Sequence, residues 1–325
     1  MEVNKLRGYL KRLGFKNPKL IELKKGESNV LYIFDTSSDK VSVKVSNPET
    51  KRNNLKREYA ILCDFSLRGL NLSPKPIDYN DSFLGLPIEV ISFIEGDTIL
   101  ESQDIRLSDI ASLAKTIHRL RGIQAPQIKS YDSNLDFLSE IVEYVNLRMS
   151  KLSKLENLAQ SSIILRKVID RGNSRIEQRK KYFLGNNLTF CHKDFKPGNL
   201  IVSPKGNIVA VDWEYSGICD PAFDLALFIN GMELKKSEKV SFISIYGIEN
   251  DDNLEKRIDT YLQYGRLPSL LWCFDRLFNP MYSDLKKERV RLYLTKAKSN
   301  IYDLLEQGVL ENRESLRLFS ALDNS

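Results

Sequence analysis

Apolar residues near the amino terminus recur at helical spacing. Leu6, Leu10 and Leu13 share one face, and Gly14 follows, so a helix is predicted over residues 4–13. The period then shortens to two. Strand-like runs are predicted at residues 20–23, 30–34 and 40–45, separated by turns at Gly26-Glu27-Ser28-Asn29 and Ser37-Ser38-Asp39. The third run alternates strictly: Val41, Val43 and Val45 take one face, and Lys40, Ser42 and Lys44 take the other. A helix is expected over residues 49–68, ending near Gly69, and two more strands over residues 76–79 and 87–93.

Beyond Gly96 the pattern becomes helical, with helices expected over residues 107–121, 135–155 and 161–182. A compact hairpin interrupts them at residues 200–211. Helices resume from Phe223, with breaks expected near Gly247, Gly265, Pro268 and Pro280. The expectation is an α+β chain of two parts, a small β-rich lobe over residues 1–95 and a larger α-helical lobe over residues 96–325. A ligand cleft between them is the natural site.

Composition narrows the function classes. The 325 residues are 42% hydrophobic and 28% charged, with net charge +6, as in ordinary soluble globular proteins. Basic residues are interleaved with acids, so no dense basic stripe marks a nucleic-acid surface. Cys63, Cys191, Cys219 and Cys273 form no C-x-x-C pair and only two histidines are present, which speaks against a thiolate-histidine zinc site. The amino terminus lacks a signal-peptide core, and no apolar run has membrane-spanning length. A cytoplasmic protein with buried, reduced cysteines is expected.

The most informative stretch runs from Phe190 to Glu214. It holds His192-x-Asp194-x-x-x-x-Asn199, a Pro-Gly-Asn turn between apolar runs, and Asp212-Trp213-Glu214. An antiparallel hairpin brings its outer ends together, so Asn199 and Asp212 can share one hard cation such as magnesium. Asp194 precedes Asn199 by five residues, where a carboxylate can orient and deprotonate an attacking hydroxyl. Lys196 can offer positive charge to a transferred phosphoryl group.

A second constellation lies upstream. Ser42 is small enough to leave room for a flat ring, and Lys44 can reach phosphate oxygens. On the following helix Leu55, Glu58, Leu62 and Phe65 share a stripe, so Glu58 faces inward and needs a partner, for which Lys44 is the candidate. Backbone amides at the turn holding Ser28 and Asn29 could cover phosphates, although one glycine fits an ordinary hairpin turn equally well.

These pieces resemble the aminoglycoside phosphotransferase and choline kinase group of the protein-kinase-like superfamily, over residues 20–230 and most strongly over residues 190–228. The resemblance implies a bilobal kinase-like fold and an ATP- and Mg2+-dependent phosphotransferase. It implies Asp194 as catalytic base, Asn199 and Asp212 as magnesium ligands, and Lys44, held by Glu58, as the α/β-phosphate contact. His192 would brace the catalytic loop and Asp224 would support it from below. Backbone groups of the segment containing Ile91 and Phe93 would bind adenine. The segment ending in His118 resembles a helix that this family carries before the catalytic loop, with His118 structural.

Only eleven residues separate Asp212 from Asp224, too few for the activation segment of a protein kinase. The expected acceptor is therefore a small-molecule hydroxyl, favouring choline, ethanolamine or thiamine because Asp212-Trp213-Glu214-Tyr215-Ser216-Gly217 resembles that branch. Trp213 or Tyr215, with Trp272, Phe274, Tyr264 and Tyr282, could form an aromatic box for an organic cation, or serve as core. Aminoglycosides and sugars are alternative acceptors. A protein serine/threonine kinase and a nucleotide-binding pseudokinase are further alternatives.

Overall fold

The computed structural model describes residues 3–26, 28–47, 54–102, 106–126, 128–247, 251–282 and 287–323. In chain order its elements are α1 (Val3–Arg12), β1 (Lys19–Lys25), β2 (Asn29–Asp35), β3 (Lys40–Ser46), α2 (Leu55–Leu67), β4 (Pro76–Phe83), β5 (Leu86–Ser92), β6 (Asp97–Thr98) and α3 (Leu107–His118). There follow α4 (Asn134–Leu152), α5 (Ala159–Arg179), β7 (Thr189–Cys191), β8 (Leu200–Val202), β9 (Ile208–Ala210) and β10 (Gly217–Cys219). The chain ends in α6 (Pro221–Gly231), α7 (Lys236–Tyr246), α8 (Leu254–Phe278), α9 (Lys287–Glu306) and α10 (Asn312–Asp323). No helix among the described residues is long and apolar enough to cross a membrane.

Two compact units emerge, one of residues 1–130, 189–224 and 231–247, the other of residues 131–188, 225–230 and 248–325. In the first, an antiparallel five-stranded sheet has the order β1-β2-β3-β5-β4. The alternation of β3 decides how it is covered. Val41, Val43 and Val45 join Tyr32 and Phe34 of β2, Ile88 and Val90 of β5, and Leu6, Tyr9 and Leu10 of α1 in one apolar cluster. Full burial of Leu6 and Leu10 stabilises this packing by about 1.5–3 kcal/mol each. Lys44 and Ser42 are thereby left on the opposite face, where Glu58 of α2 meets Lys44. Helix α2 starts at Leu55, with Asn54 as its N-cap residue. Residues 49–53 of the helix expected there lie outside the described residues.

The hairpin predicted at residues 200–211 is present as β8 and β9, paired Leu200 to Ala210. Two partners were not visible in the pattern. Strand β6 adds to β8 as a third strand, and β7 pairs with β10, Cys191 opposite Gly217. Gly96 makes the first addition possible. Its φ is +139°, and a Cβ there would fall 2.0 Å from the Val202 carbonyl oxygen, so only glycine allows the two backbones to approach.

The second unit is helical. Leu165, Val168 and Ile169 of α5, Phe137, Val145 and Met149 of α4, Leu270, Leu271 and Phe274 of α8, and Ile301 and Leu304 of α9 are buried in it. The breaks expected at Gly265 and Pro268 do not occur, because α8 runs unbroken through both. Pro268 removes one helical N–H, a cost of about 3 kcal/mol in a helix interior. Burial of Tyr264, Leu267, Leu270 and Leu271 around it offsets that cost.

Candidate active site

The site lies in the first unit, where β3, α2 and the loops flanking β8 and β9 supply its side chains. The alternation of β3 directs Lys44 towards α2, and the apolar stripe of α2 carries Glu58 inward. Lys44 Nζ donates to Glu58 Oε1 at 2.6 Å and to Asp212 Oδ1 at 2.9 Å. Lys44 and Glu58 are buried, and Trp213 N also donates to Glu58 Oε1, at 3.1 Å. The pair expected from helical spacing therefore forms, and one lysine reaches both α2 and the far end of the hairpin.

Asp194 and Asn199 meet directly. Asn199 Nδ2 donates to the Asp194 carbonyl oxygen at 3.0 Å and to Asp194 Oδ2 at 2.7 Å. Lys196 Nζ donates to the same Oδ2 at 2.7 Å. With its amide nitrogen so committed, Asn199 has Oδ1 left as an oxygen that could ligate a metal. Asp212 likewise spends Oδ1 on Lys44 and keeps Oδ2. Two such oxygens, one amide and one carboxylate, suit a hard cation that takes few protein ligands. Val211 N donates to the Asn199 carbonyl oxygen at 2.9 Å, which holds the two hairpin ends together.

The loop that carries Asp194 is anchored from beneath. Asp224, fully buried, accepts from His192 N at 2.7 Å and Lys193 N at 2.8 Å. His118 Nε2 lies 3.2 Å from Asp224 Oδ2, and His118 Nδ1 lies 2.9 Å from the Tyr246 hydroxyl. The His192 ring spans the loop: Nε2 lies 3.0 Å from the Val211 carbonyl oxygen, and Nδ1 accepts from Asp194 N at 3.3 Å. A carbonyl partner requires N–H at Nε2 and a backbone N–H requires a lone pair at Nδ1, which selects the neutral imidazole. Burial pushes the His192 pKa down, in keeping with this tautomer. Two residues here hold left-handed backbone without being glycine, Lys193 at φ +62° and Asp212 at φ +70°. Such conformations persist when surrounding contacts over-determine them, and they cluster at functional sites.

The electrostatics follow from one ammonium among several carboxylates. Burial opposes the charge on Lys44, but Asp212 and Glu58 outweigh it and push its pKa well up. Burial also works against charge on Asp212, yet Lys44 holds its pKa below the usual carboxylate value. At Glu58 burial wins over Lys44, and at Glu214 burial with the charges of Asp212 and Glu58 pushes the pKa up to about 7. Burial opposes an imidazolium at His118, but Cys191, Tyr246 and Asp224 together raise its pKa. The Sγ of buried Cys191 lies within 4.8 Å of ligand atoms of His118 and Asp224. The Asp224 oxygens there are already taken by the loop amides.

The remaining expected residues fall in three groups. Ser28 Oγ and the Tyr215 hydroxyl share a hydrogen bond of 3.1 Å, and Asn29 Nδ2 donates to Glu214 Oε2 at 3.1 Å. The turn before β2 is thus latched to the segment after Asp212, while Glu27 of that turn lies outside the described residues. Ser42 and Ile91 are paired across β3 and β5, both buried, and Phe93 N donates to the Lys40 carbonyl oxygen at 3.3 Å.

Trp213 and Phe274 correct the aromatic-box expectation. Neither has accessible surface. Trp213 packs against Phe65 and His192 at centroid distances of 4.8 and 4.5 Å and donates from Nε1 to the Ala210 carbonyl oxygen. Its indole is core, so it presents no face to a ligand. Trp272 is half-buried, with Lys296 at 5.2 Å and Arg276 at 5.7 Å from its ring, and Arg276 also lies 3.9 Å from the Tyr282 ring centroid. The chain's own cations occupy those aromatic rings.

Sequence reasoning passed over Glu89, which β5 pairs directly with Lys44. The signal was available: Glu89 is the lone acid in an otherwise apolar and uncharged strand.

Residues 19–255 match the phosphotransferase enzyme family. A stretch of 98 residues is 29% identical to protein LicA of Haemophilus influenzae, covering 30% of this chain and 35% of that protein, so the match spans about a third of that relative's length. The solved choline kinase LicA from Streptococcus pneumoniae is similar over 94% of this chain and 99% of its own, with TM-score 0.66 at 20% identity. A spectinomycin phosphotransferase solved with ADP and spectinomycin is similar over 90% of this chain and 93% of its own, with TM-score 0.63 at 15% identity. The structural likenesses establish the α+β kinase-like fold expected from the sequence.

Proposed function

This chain belongs to the phosphotransferase enzyme family, and we propose that it transfers the terminal phosphoryl group of ATP to the hydroxyl of an amino alcohol such as choline, ethanolamine or thiamine. The observation that carries the transfer is the fixed carboxylate of Asp194. Lys196 and Asn199 both hold its Oδ2, which leaves Oδ1 to accept the proton of an incoming hydroxyl. Asn199 and Asp212 would hold a magnesium ion, which supplies positive charge to the nucleotide phosphates when bound.

In this reading Lys44 binds the α/β-phosphates, steadied by Glu58. Ser42, Ile91 and Phe93 border the adenine, and Ser28 and Asn29 place their turn over the phosphates. Lys196 stabilises charge that develops on the transferred group, and His192 with Asp224 sets the height of the loop carrying Asp194. Residues 1–95 would then serve the nucleotide and residues 96–325 the reaction and the acceptor. Catalysis consists of positioning and charge neutralisation.

A small acceptor is supported by what lies between Asp212 and Asp224. A single 3-10 turn (Trp213–Tyr215), strand β10 and the start of α6 fill that interval, leaving no room for a peptide platform. The amino-alcohol preference is supported by the similarity to LicA proteins, one of which is a choline kinase. Of the aromatic candidates, Tyr215, Trp272 and Tyr282 retain partial exposure, the last two with the chain's own cations on their rings. The test is ADP release with Mg-ATP over choline, ethanolamine, thiamine, sugars and aminoglycosides. Acceptor-dependent release confined to the amino alcohols is expected, and release confined to aminoglycosides or sugars would overturn the preference.

A further inference from the structure

Behind Lys44 lies a carboxyl group that the proposed reaction leaves without a task. Glu89 sits in the middle of β5 and is fully buried. Register places it opposite Lys44 of β3 on one side and Tyr79 of β4 on the other. Directly paired residues share a sheet face, so Glu89 shares the face of Lys44 on which α2 lies. Among the described residues neither Glu89 oxygen has a hydrogen-bond partner, and Glu58 Oε2 is buried and unpartnered as well.

Titratable groups from several neighbouring elements face Glu89 among the described residues. They are Lys44 on β3, Glu58, Tyr59 and Cys63 on α2, Tyr79 on β4, and Asp212 and Glu214 beyond β9. Lys44 is the cation paired with Glu89 across the sheet. It already donates to Glu58 and Asp212, so a third ionised carboxylate would be a buried charge with no counter-charge. Burial, reinforced by Glu58, pushes the Glu89 pKa well above the usual value. A neutral carboxyl carries an O–H donor, and Glu58 Oε2 on the facing helix is a buried acceptor without a hydrogen-bond partner among the described residues.

We propose that Glu89 is a positioning residue whose carboxyl O–H engages Glu58 Oε2 and so fixes the carboxylate to which Lys44 is tied. The proposal rests on the reading that Lys44 binds the nucleotide phosphates. Glu58 then has both oxygens engaged, Oε1 by Lys44 and Trp213 N, Oε2 by Glu89. When Asp212 turns to other partners, Lys44 keeps its place.

The test compares Glu89→Leu, which keeps bulk and removes the donor, with Glu89→Gln, which restores a donor without charge. Loss of a hydrogen bond to a charged group predicts a KM for ATP about tenfold or more higher in Glu89→Leu, with the acceptor KM unmoved. Glu89→Gln is expected to recover most of that loss, to within about threefold of wild type. Independently, the wild-type minus Glu89→Gln infrared difference spectrum at neutral pH should show a protonated-carboxyl band. A folded Glu89→Leu variant with unchanged KM for ATP overturns the proposal, as does Glu89→Gln as impaired as Glu89→Leu, or absence of the band. Should Glu89→Leu fail to fold, Glu89→Gln kinetics and the infrared band still decide. Lys44→Ala run in parallel separates the two readings: a KM for ATP unmoved by that change removes Lys44 from the phosphates, and the infrared band then decides Glu89 alone.

Discussion

Replacing Asp224 by alanine removes the anchor of the loop that carries Asp194, and the structure sets the size of the effect. The carboxylate accepts from two backbone amides, His192 N at 2.7 Å and Lys193 N at 2.8 Å, and has His118 Nε2 at 3.2 Å. It has no exposed surface, so water does not replace it without rearrangement. A buried donor left unpaired costs about 1–3 kcal/mol, and three groups lose their acceptor here, giving roughly 3–9 kcal/mol. Release of the left-handed backbone at Lys193 (φ +62°) returns about 1–3 kcal/mol of that. Taking the middle of each range, the expected net loss is about 4 kcal/mol, a large fraction of a typical domain stability of roughly 5–15 kcal/mol. Urea unfolding of wild type and Asp224→Ala measures it, read as a shift of midpoint at constant slope. Phosphoryl transfer at low temperature, where both remain folded, should fall as well, because Asp194 is no longer held at a fixed height. A variant within about 0.5 kcal/mol of wild type and equally active would refute the anchoring role.

Asp194→Asn should lower turnover by roughly 10²- to 10⁴-fold, the usual cost of losing a general base, with the KM for ATP little changed in steady-state assays. Gly231→Ala places a Cβ 2.4 Å from Pro197 Cδ, and overpacking at a rigid ring predicts about 1–3 kcal/mol of destabilisation by thermal unfolding, with turnover reduced through the same loop. Glu214, raised to about 7, keeps its proton in the folded state at pH values where the unfolded chain has released it. Its contribution is therefore complete below the unfolded carboxylate value and fades as pH rises to about 7, so Glu214→Gln should gain on wild type by ~1–3 kcal/mol between pH 5 and 8 in denaturant titrations.

Much of this arrangement was legible because it rests on periodicity. The two-residue repeat of β3 separated the valines from Lys44, and the three-and-four spacing of α2 put Glu58 inside, so their meeting at 2.6 Å followed from two local rules. The antiparallel hairpin likewise brought Asn199 towards Asp212 without knowledge of anything distant. What stayed hidden depends on the remainder of the molecule. Strand β6 is two residues long, too short to leave a pattern, and its pairing exists because Gly96 admits the β8 backbone. Helix α8 passes through Pro268 on the strength of buried neighbours that no local propensity reports. By sequence Trp213 fits either an aromatic box or the core, and Phe65 and His192 enclose it. The left-handed turn at Asp212 redirects the chain at that point, and non-glycine residues give no local warning of such a turn.

The valine face beneath α1 has a consequence for how this protein can change over time. Substitutions along β3 can drift one by one, provided that odd positions stay oily and residue 44 stays basic. A single inserted or deleted codon upstream in the strand is of another kind: it would turn the ammonium into the oil beneath α1 and a valine towards Glu58 and Asp212. Length in this segment should therefore be far more invariant among descendants than composition, with gaps displaced into the connections on either side.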